Sequence, residues 1–127
     1  MPRKKVVIFD DEIDMLTVTE TILTSHGFDV AAFDSPKNAI EDIKREKPDL
    51  ILLDINMPHK DGYQVCDEIR CDDEIKHIPI IVFTAQTIEK DLIDKAHEFY
   101  GADDYVIKPF EANDLVDKIN KNIAGSD

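Results

Sequence analysis

Four short apolar runs in this chain are each followed directly by a polar residue. The polar positions are Asp10-Asp11 after residues 6–9, Asp54 after residues 50–53, Thr84 after residues 80–83 and Lys108 after residues 105–107. The runs are rich in Val, Ile and Leu, which is typical of strands buried on both faces of a parallel sheet. In one parallel sheet, these polar groups would meet at the carboxyl edge, where open α/β sheets bind ligands.

Helical periodicity between the runs makes strands and helices alternate five times. We predict strands β1 near 5–10, β2 near 28–33, β3 near 49–54, β4 near 79–83 and β5 near 104–108. The predicted helices are α1 over about 12–26, ended by Gly27; α2 from Ser35-Pro36; α3 around Val65 and Ile69; α4 around Leu92, Ile93 and Ala96, ended by Gly101; and α5 around Leu115, Val116, Ile119 and Ile123.

The alternation predicts right-handed βαβ units and a sheet covered by helices on both faces. In a chain of 127 residues, this pattern suits an α/β, flavodoxin-like (βα)5 fold with a five-stranded parallel sheet in the order 2-1-3-4-5. Strands β1 and β3 are then neighbours, so Asp10, Asp11 and Asp54 converge. We expect one domain over residues 1–124 and a short tail over 125–127, with Met1 as a natural N-terminus.

The composition narrows the classes of partner. The formal net charge is −13, which repels phosphate backbones and anionic membrane surfaces, so we expect no direct nucleic-acid or membrane binding. No apolar run approaches the roughly 18 residues of a membrane span. Cys66 and Cys71 match no metal or redox spacing. We therefore expect a cytoplasmic protein.

Three converging carboxylates repel one another, and a hard divalent cation removes that conflict. Magnesium suits one or two carboxylates, a backbone carbonyl and open positions for water and a phosphate oxygen. The alternative for Asp10-Asp11-Glu12 is a run of acids that favourably meets a helix N-terminus. The pattern taken alone supports both interpretations about equally.

The other polar positions also have ordinary explanations. Asp54 could cap a helix, but the following Ile55-Asn56-Met57-Pro58 predicts a loop, because a residue before proline avoids helical dihedrals. We therefore expect Asp54 to be exposed and able to attack phosphorus. Thr84 could cap a helix and Lys108 could be a solvated lysine. If both face the cation, they stabilise charge on phosphoryl oxygens.

Together these stretches closely resemble the receiver domain of two-component response regulators over nearly the full chain. The matching stretches are residues 6–12, 48–54, Met57-Pro58 through Asp61-Gly62, residues 79–85 and residues 101–110. The resemblance implies a signalling protein rather than an enzyme, apart from its own phosphoryl uptake and slow autodephosphorylation. It implies that Asp54 accepts a phosphoryl group from a phosphohistidine on a sensor histidine kinase or a histidine phosphotransfer protein.

The resemblance also assigns roles around Asp54. Asp11, Asp54 and the backbone carbonyl of Asn56 would ligate Mg²⁺, with Asp10 acting through water and Mn²⁺ able to substitute. Thr84 and Lys108 would contact the phosphoryl oxygens, and the Lys108-Pro109 bond would be cis. The amides of Asn56 and Gln86 would tune dephosphorylation. The resemblance thus implies phosphorylation at Asp54 and a metal site formed by Asp10, Asp11, Asp54 and Asn56.

Tyr105 occupies the aromatic switch position of the family. Thr84 would move toward the phosphoryl group and the ring would turn inward, which alters the α4-β5-α5 surface for a downstream protein target. The alternative is a strand tyrosine half-buried against a helix. The resemblance is compatible with a monomer or with a dimer linked to phosphorylation.

Three other functions compete with this interpretation. An aspartyl-phosphate phosphatase would need a second Asp two residues after Asp54, where this chain has Asn56. A nucleotide or flavin module would need a Gly-rich or Ser/Thr-rich loop after β1, where Asp10-Asp11-Glu12 would repel phosphate. A phosphorylation-independent interaction module on the same fold usually lacks an acid, the threonine or the lysine, and all are present here.

Overall fold

A five-stranded sheet with the order β2-β1-β3-β4-β5 forms the centre of the chain in the computed structural model, and every neighbouring pair is parallel. This confirms the predicted topology. The structure describes residues 3–54, 62–85, 101–108 and 110–125; of residues 63, 84, 85 and 108 it describes the backbone alone. The strands are β1 (Lys5–Phe9), β2 (Asp29–Phe33), β3 (Leu50–Asp54), β4 (Ile80–Ala85) and β5 (Asp104–Lys108).

Four helices pack against this sheet in the described ranges. They are α1 (Ile13–Ser25), α2 (Ala39–Glu46), α3 (Gly62–Arg70) and α5 (Ala112–Gly125). The predicted α4 lies outside the described residues. None of the helices in the described ranges combines the length and hydrophobicity that a membrane span requires.

Alternate residues of each central strand enter opposite layers of the core. Val7 and Phe9 pack with α2 and α3 on one face, whereas Val6 and Ile8 pack with α1 and α5 on the other. All four side chains are fully buried. Strands covered on both faces cannot alternate apolar and polar residues, which explains the continuous apolar runs in the sequence.

Two predicted boundaries are wrong. Strand β4 continues to Ala85 instead of ending near residue 83, because β5 supplies ladder partners up to the pair Ala85–Lys108. Helix α2 begins at Ala39, not after the predicted cap at Ser35. The Ser35 hydroxyl does accept a hydrogen bond from the Lys37 N–H at 3.2 Å, but this bond closes a turn that precedes the helix.

The predicted end of α1 is confirmed. Gly27 has a φ of 89°, in the left-handed region that glycine adopts without steric cost. The next residue, Phe28, is buried and its N–H donates to the Leu23 carbonyl at 3.1 Å. The chain therefore reverses directly from α1 into β2.

Arg70 connects the segments that lie at the amino-terminal ends of β4 and β5. Its guanidinium donates to the carbonyls of Gly101, Lys76 and Ile78 at 2.8, 2.6 and 2.7 Å. It also forms a 2.6 Å ion pair with Asp103. The same Asp103 carboxylate accepts the Ile80 N–H at 2.8 Å, so one arginine connects α3 with the starts of both strands.

Gly101 is required by this arrangement. Its φ is 80°, and a Cβ atom at this position would lie 2.6 Å from Cγ of Arg70. Such a distance is shorter than van der Waals contact allows. The absence of a side chain at residue 101 therefore lets the arginine reach the backbone.

We expect Arg70→Lys to lower the free energy of unfolding by about 2–3 kcal/mol, because an ammonium cannot replace the planar fork that donates to several carbonyls at once. Urea denaturation measures this change. Arg45→Lys is the matched control: Arg45 is 59% exposed and pairs with acids of its own helix, so the free energy of unfolding should change much less than in Arg70→Lys. Equal losses in the two variants would contradict the role given to Arg70.

Candidate functional site

The pairing of β1 with β3 brings two aspartates together at the carboxyl edge of the sheet. Phe9 is in register with Leu53, and Asp10 and Asp54 are the next residues on the two strands. Neighbouring parallel strands lie about 4.8 Å apart, so residues at matching positions are close in space. The convergence predicted from the apolar runs is present for this pair.

Both aspartates are buried, which differs from the prediction that Asp54 is exposed. Asp10 is 0% and Asp54 is 3% exposed. Asp54 is the last residue of β3, a strand that lies between β1 and β4, and it pairs with Phe83 of β4. The carboxylate is thus buried at the end of a central strand of the sheet.

Glu12 joins the two aspartates, although the sequence-based ligand set omits it. One carboxylate oxygen from each of Asp10, Glu12 and Asp54 lies within 4.8 Å of the other two. The Glu12 N–H donates to Oδ1 of Asp10 at 3.0 Å, in the two-residue turn that Asp often forms. The sequence signal for this turn is the Asp two residues before Glu12. Its side chain can accept the Glu12 N–H and so fold the third residue of the Asp-Asp-Glu run back toward the first.

Asp11 lies between them, half-buried, and is not in this three-carboxylate group. Its assignment as a direct metal ligand stays a prediction. The backbone of Asp10 is fixed by β2, because its N–H donates to the Phe33 carbonyl at the end of that strand at 3.1 Å. The group is thus anchored on β1 and β3 and backed by β2.

The structure describes some of the remaining predicted residues fully, some by their backbone alone and others not at all. The backbones of Thr84 and Lys108 lie at the same sheet edge, where Thr84 pairs with Ile107 and Lys108 pairs with Ala85. Tyr105 is half-buried on β5. Asn56, Gln86 and Pro109 lie outside the described residues, and so do the side chains of Thr84 and Lys108. Their roles stay predictions.

The donor set fits a hard divalent cation. Carboxylate oxygens are the ligands that Mg²⁺ prefers, and two of the three carboxylates here are withdrawn from bulk water. At separations near 5 Å, three negative charges repel one another strongly, and a divalent cation reverses the sign of this interaction. Asp10, Glu12 and Asp54 could therefore hold a divalent cation.

Comparison with known proteins agrees with this geometry. Residues 6–120 match the family model described as the response regulator receiver domain. A protein named probable transcriptional regulator ycf27, from Porphyridium aerugineum, is 38% identical over 119 residues. The match covers 94% of this chain but 48% of that protein, so the chain spans about half the length of this relative.

Two solved structures share the fold over nearly their full lengths. A protein described as a response regulator from Chloroflexus aurantiacus is 31% identical, with a TM-score of 0.89 and coverage of 97% of this chain and 99% of that one. The receiver domain of a sensor histidine kinase from Pseudomonas aeruginosa is 28% identical, with a TM-score of 0.86 and coverage of 97% and 99%. That structure holds a magnesium ion in its active site cleft.

We expect Asp54→Asn to raise the free energy of unfolding by about 1–2 kcal/mol in the presence of EDTA, because it removes one of three clustered negative charges. Saturating Mg²⁺ should reverse the order and stabilise the parent protein more, by about 2.7 kcal/mol at 100 times its dissociation constant. Urea denaturation with and without Mg²⁺ measures both effects. A variant less stable than the parent in EDTA would contradict a repulsive cluster.

We expect Glu12→Gln to weaken Mg²⁺ binding about tenfold, because one of the three negative charges gathered at the site is lost. Isothermal titration calorimetry measures the affinity. Asp14→Asn is the matched control, since Asp14 is exposed in the first turn of α1 and outside the cluster. If the two variants bind Mg²⁺ equally well, Glu12 does not contribute to the site.

Proposed function

Because the chain belongs to the response regulator receiver domain family of two-component systems, we propose that Asp54 is its phosphoacceptor. The observation that carries this proposal is the placement of Asp54 at the end of β3, 3% exposed and within 4.8 Å of Asp10 and Glu12. A carboxylate at such a position can act as a nucleophile once its negative neighbours are compensated.

In the proposed reaction the phosphoryl group comes from a phosphohistidine of a sensor histidine kinase or histidine phosphotransfer protein. A carboxylate oxygen of Asp54 forms a bond to phosphorus while the phosphorus–nitrogen bond breaks. The imidazole leaves with the bonding electron pair and takes up a proton from solvent. The product is an aspartyl phosphate, an acyl phosphate that water can later hydrolyse.

The protein contributes mainly position and charge to this step. Asp10, Asp11, Asp54 and the carbonyl of Asn56 would hold Mg²⁺, with Mn²⁺ as a substitute, and Glu12 adds negative charge beside them. The bound cation would neutralise the charge of the carboxylates and of the incoming phosphoryl oxygens. Thr84 and Lys108 would bind the remaining oxygens, while Asn56 and Gln86 would tune hydrolysis. The Lys108-Pro109 bond is proposed to be cis.

The proposed output is a change in the α4-β5-α5 surface. Thr84 moves toward the phosphoryl group, the Tyr105 ring turns inward, and a downstream protein target binds the altered surface. The chain is then a signalling protein that catalyses only its own phosphoryl uptake and slow autodephosphorylation. Phosphorylation needs to bias two existing conformations by only a few kcal/mol for this purpose.

The net charge of the chain and the names of its relatives guide the proposal about its binding partners. The net charge of −13 opposes direct nucleic-acid binding by these residues, although one relative is named a transcriptional regulator. We propose protein partners only, a cytoplasmic location, and a monomer or a dimer formed on phosphorylation. The receiver domain is proposed to extend over residues 1–124, with 125–127 as a tail.

Incubation with Mg²⁺ and acetyl phosphate should add one phosphoryl group, because the cation then offsets the repulsion between the clustered carboxylates and the incoming phosphoryl oxygens. Intact-mass spectrometry measures the gain. Asp54→Asn and chelation by EDTA should each abolish it. Asp73→Asn, at a side chain that is 94% exposed, is the matched control and should react like the parent.

Uptake at another residue, seen as an unchanged gain in Asp54→Asn, would overturn the assignment. No uptake from acetyl phosphate or from a phosphohistidine donor, by folded protein that still binds Mg²⁺, would favour a phosphorylation-independent interaction module.

A further inference from the structure

A groove of about 520 Å³ opens between β5 and α5. Tyr105 and Lys118 both line it, together with Phe110 and the exposed Ile107. β5 is an edge strand of the sheet, so its side chains are not covered by a further strand. A side chain on α5 can therefore reach the Tyr105 ring around this edge.

Lys118 makes three contacts across the groove. Its ammonium donates to the Tyr105 carbonyl oxygen, lies 3.5 Å from Oδ1 of Asp104, and lies 4.5 Å from the centre of the Tyr105 ring. The last distance is within the range of a cation–π interaction. One cation therefore contacts both the backbone and the ring of the same residue.

The Asp104 carboxylate holds the ammonium in place. It accepts the Tyr105 N–H at 2.8 Å and the Asn122 side-chain amide at 3.0 Å. Burial raises the pKa of Asp104, but these two hydrogen bonds and the Lys118 charge outweigh it and keep that pKa below its ordinary value. The Asn122 amide also donates to the Lys118 carbonyl at 2.8 Å, which links the network to α5.

We propose that Lys118 is a positioning residue for Tyr105 and holds its ring at the β5–α5 groove, in the conformation of the unphosphorylated domain. The proposal rests on the proposed function in one respect, that Tyr105 is the aromatic switch. It goes beyond that function because it names the group on α5 that sets the position of the switch.

The three contacts differ in their dependence on the ring. The Tyr105 carbonyl and Asp104 belong to the strand and its start, so they keep their places when the ring rotates. The cation–π contact exists only while the ring lies under the ammonium. Only an interaction that differs between two conformations shifts their equilibrium, and this contact is of that kind. A cation–π contact at a partly exposed site corresponds to about a two- to fivefold bias.

Nuclear magnetic resonance tests the contact in the parent protein without any substitution. The ring current of Tyr105 should move the side-chain protons next to the Lys118 ammonium upfield of those of Lys121, an exposed lysine on the same helix. Tyr105→Leu should remove the difference. Equal resonances for the two lysines would overturn the proposal.

Substitutions test the consequence. Lys118→Met keeps the aliphatic stem and removes the charge, so the Tyr105 ring resonances should shift toward those of the phosphorylated parent, and phosphoryl uptake should accelerate about two- to fivefold. Lys118→Arg keeps a cation that can stack on the ring and should restore the parent values. Lys121→Met is the matched control and should behave like the parent. Tyr105→Phe identifies the Tyr105 signals among the three tyrosines.

Parent-like ring resonances in Lys118→Met would overturn the proposal, and so would a Lys118→Arg protein that behaves like Lys118→Met. Failure of the proposed function looks different. If neither the parent nor any Lys118 variant takes up a phosphoryl group, Asp54 is not a phosphoacceptor. The ring-current comparison in unphosphorylated protein then still decides whether Lys118 positions Tyr105.

Discussion

The pairing of β1 with β3 is the constraint on which the rest of this structure depends. These strands form the centre of the sheet, their apolar side chains are fully buried on both faces, and their register places Asp10 beside Asp54. The same burial that stabilises the core therefore draws two carboxylates out of water, and the turn after Asp10 adds the exposed Glu12 as a third. Burial of apolar surface stabilises the fold, and the same sheet gathers carboxylates at one end, where a bound cation would offset their mutual repulsion.

The two ends of the sheet contrast in their electrostatics. At the end where β4 and β5 begin, the Arg70 guanidinium is matched by three carbonyls and by Asp103. At the carboxyl end, three acids gather within 4.8 Å. A satisfied network favours one rigid arrangement, whereas clustered like charges favour a site that changes when a ligand binds.

The edge strand β5 runs between the carboxylate end of the sheet and the β5–α5 groove. Lys108 ends β5 at the edge that carries the carboxylates, while Tyr105, three residues earlier, contacts Lys118 of α5. The proposed phosphorylation site and the β5–α5 groove are therefore connected by one short strand. Coupling between them requires that the Tyr105 ring has two positions and that both the site and the groove shift the equilibrium between these positions.

Sequence patterns determined most of the fold. The buried central strands β1, β3 and β4 are continuous apolar runs, and their alternation with helical segments made the strand order and the meeting of Asp10 with Asp54 predictable. The run Asp-Asp-Glu showed which chemistry to expect. The start of α2 and the end of β4 were not predictable, since a turn at Ser35 and ladder partners on β5 decided them.

Tertiary structure alone decided the rest. Asp54 is buried at the end of a central strand, Asp10 and Glu12 meet it because β1 pairs with β3, and Lys118 meets Tyr105 because α5 packs beside an edge strand. Local sequence records which residues favour strand or helix and which can carry a charge. It does not record the distances between groups on different elements, and those distances set the strength of every electrostatic interaction at this site.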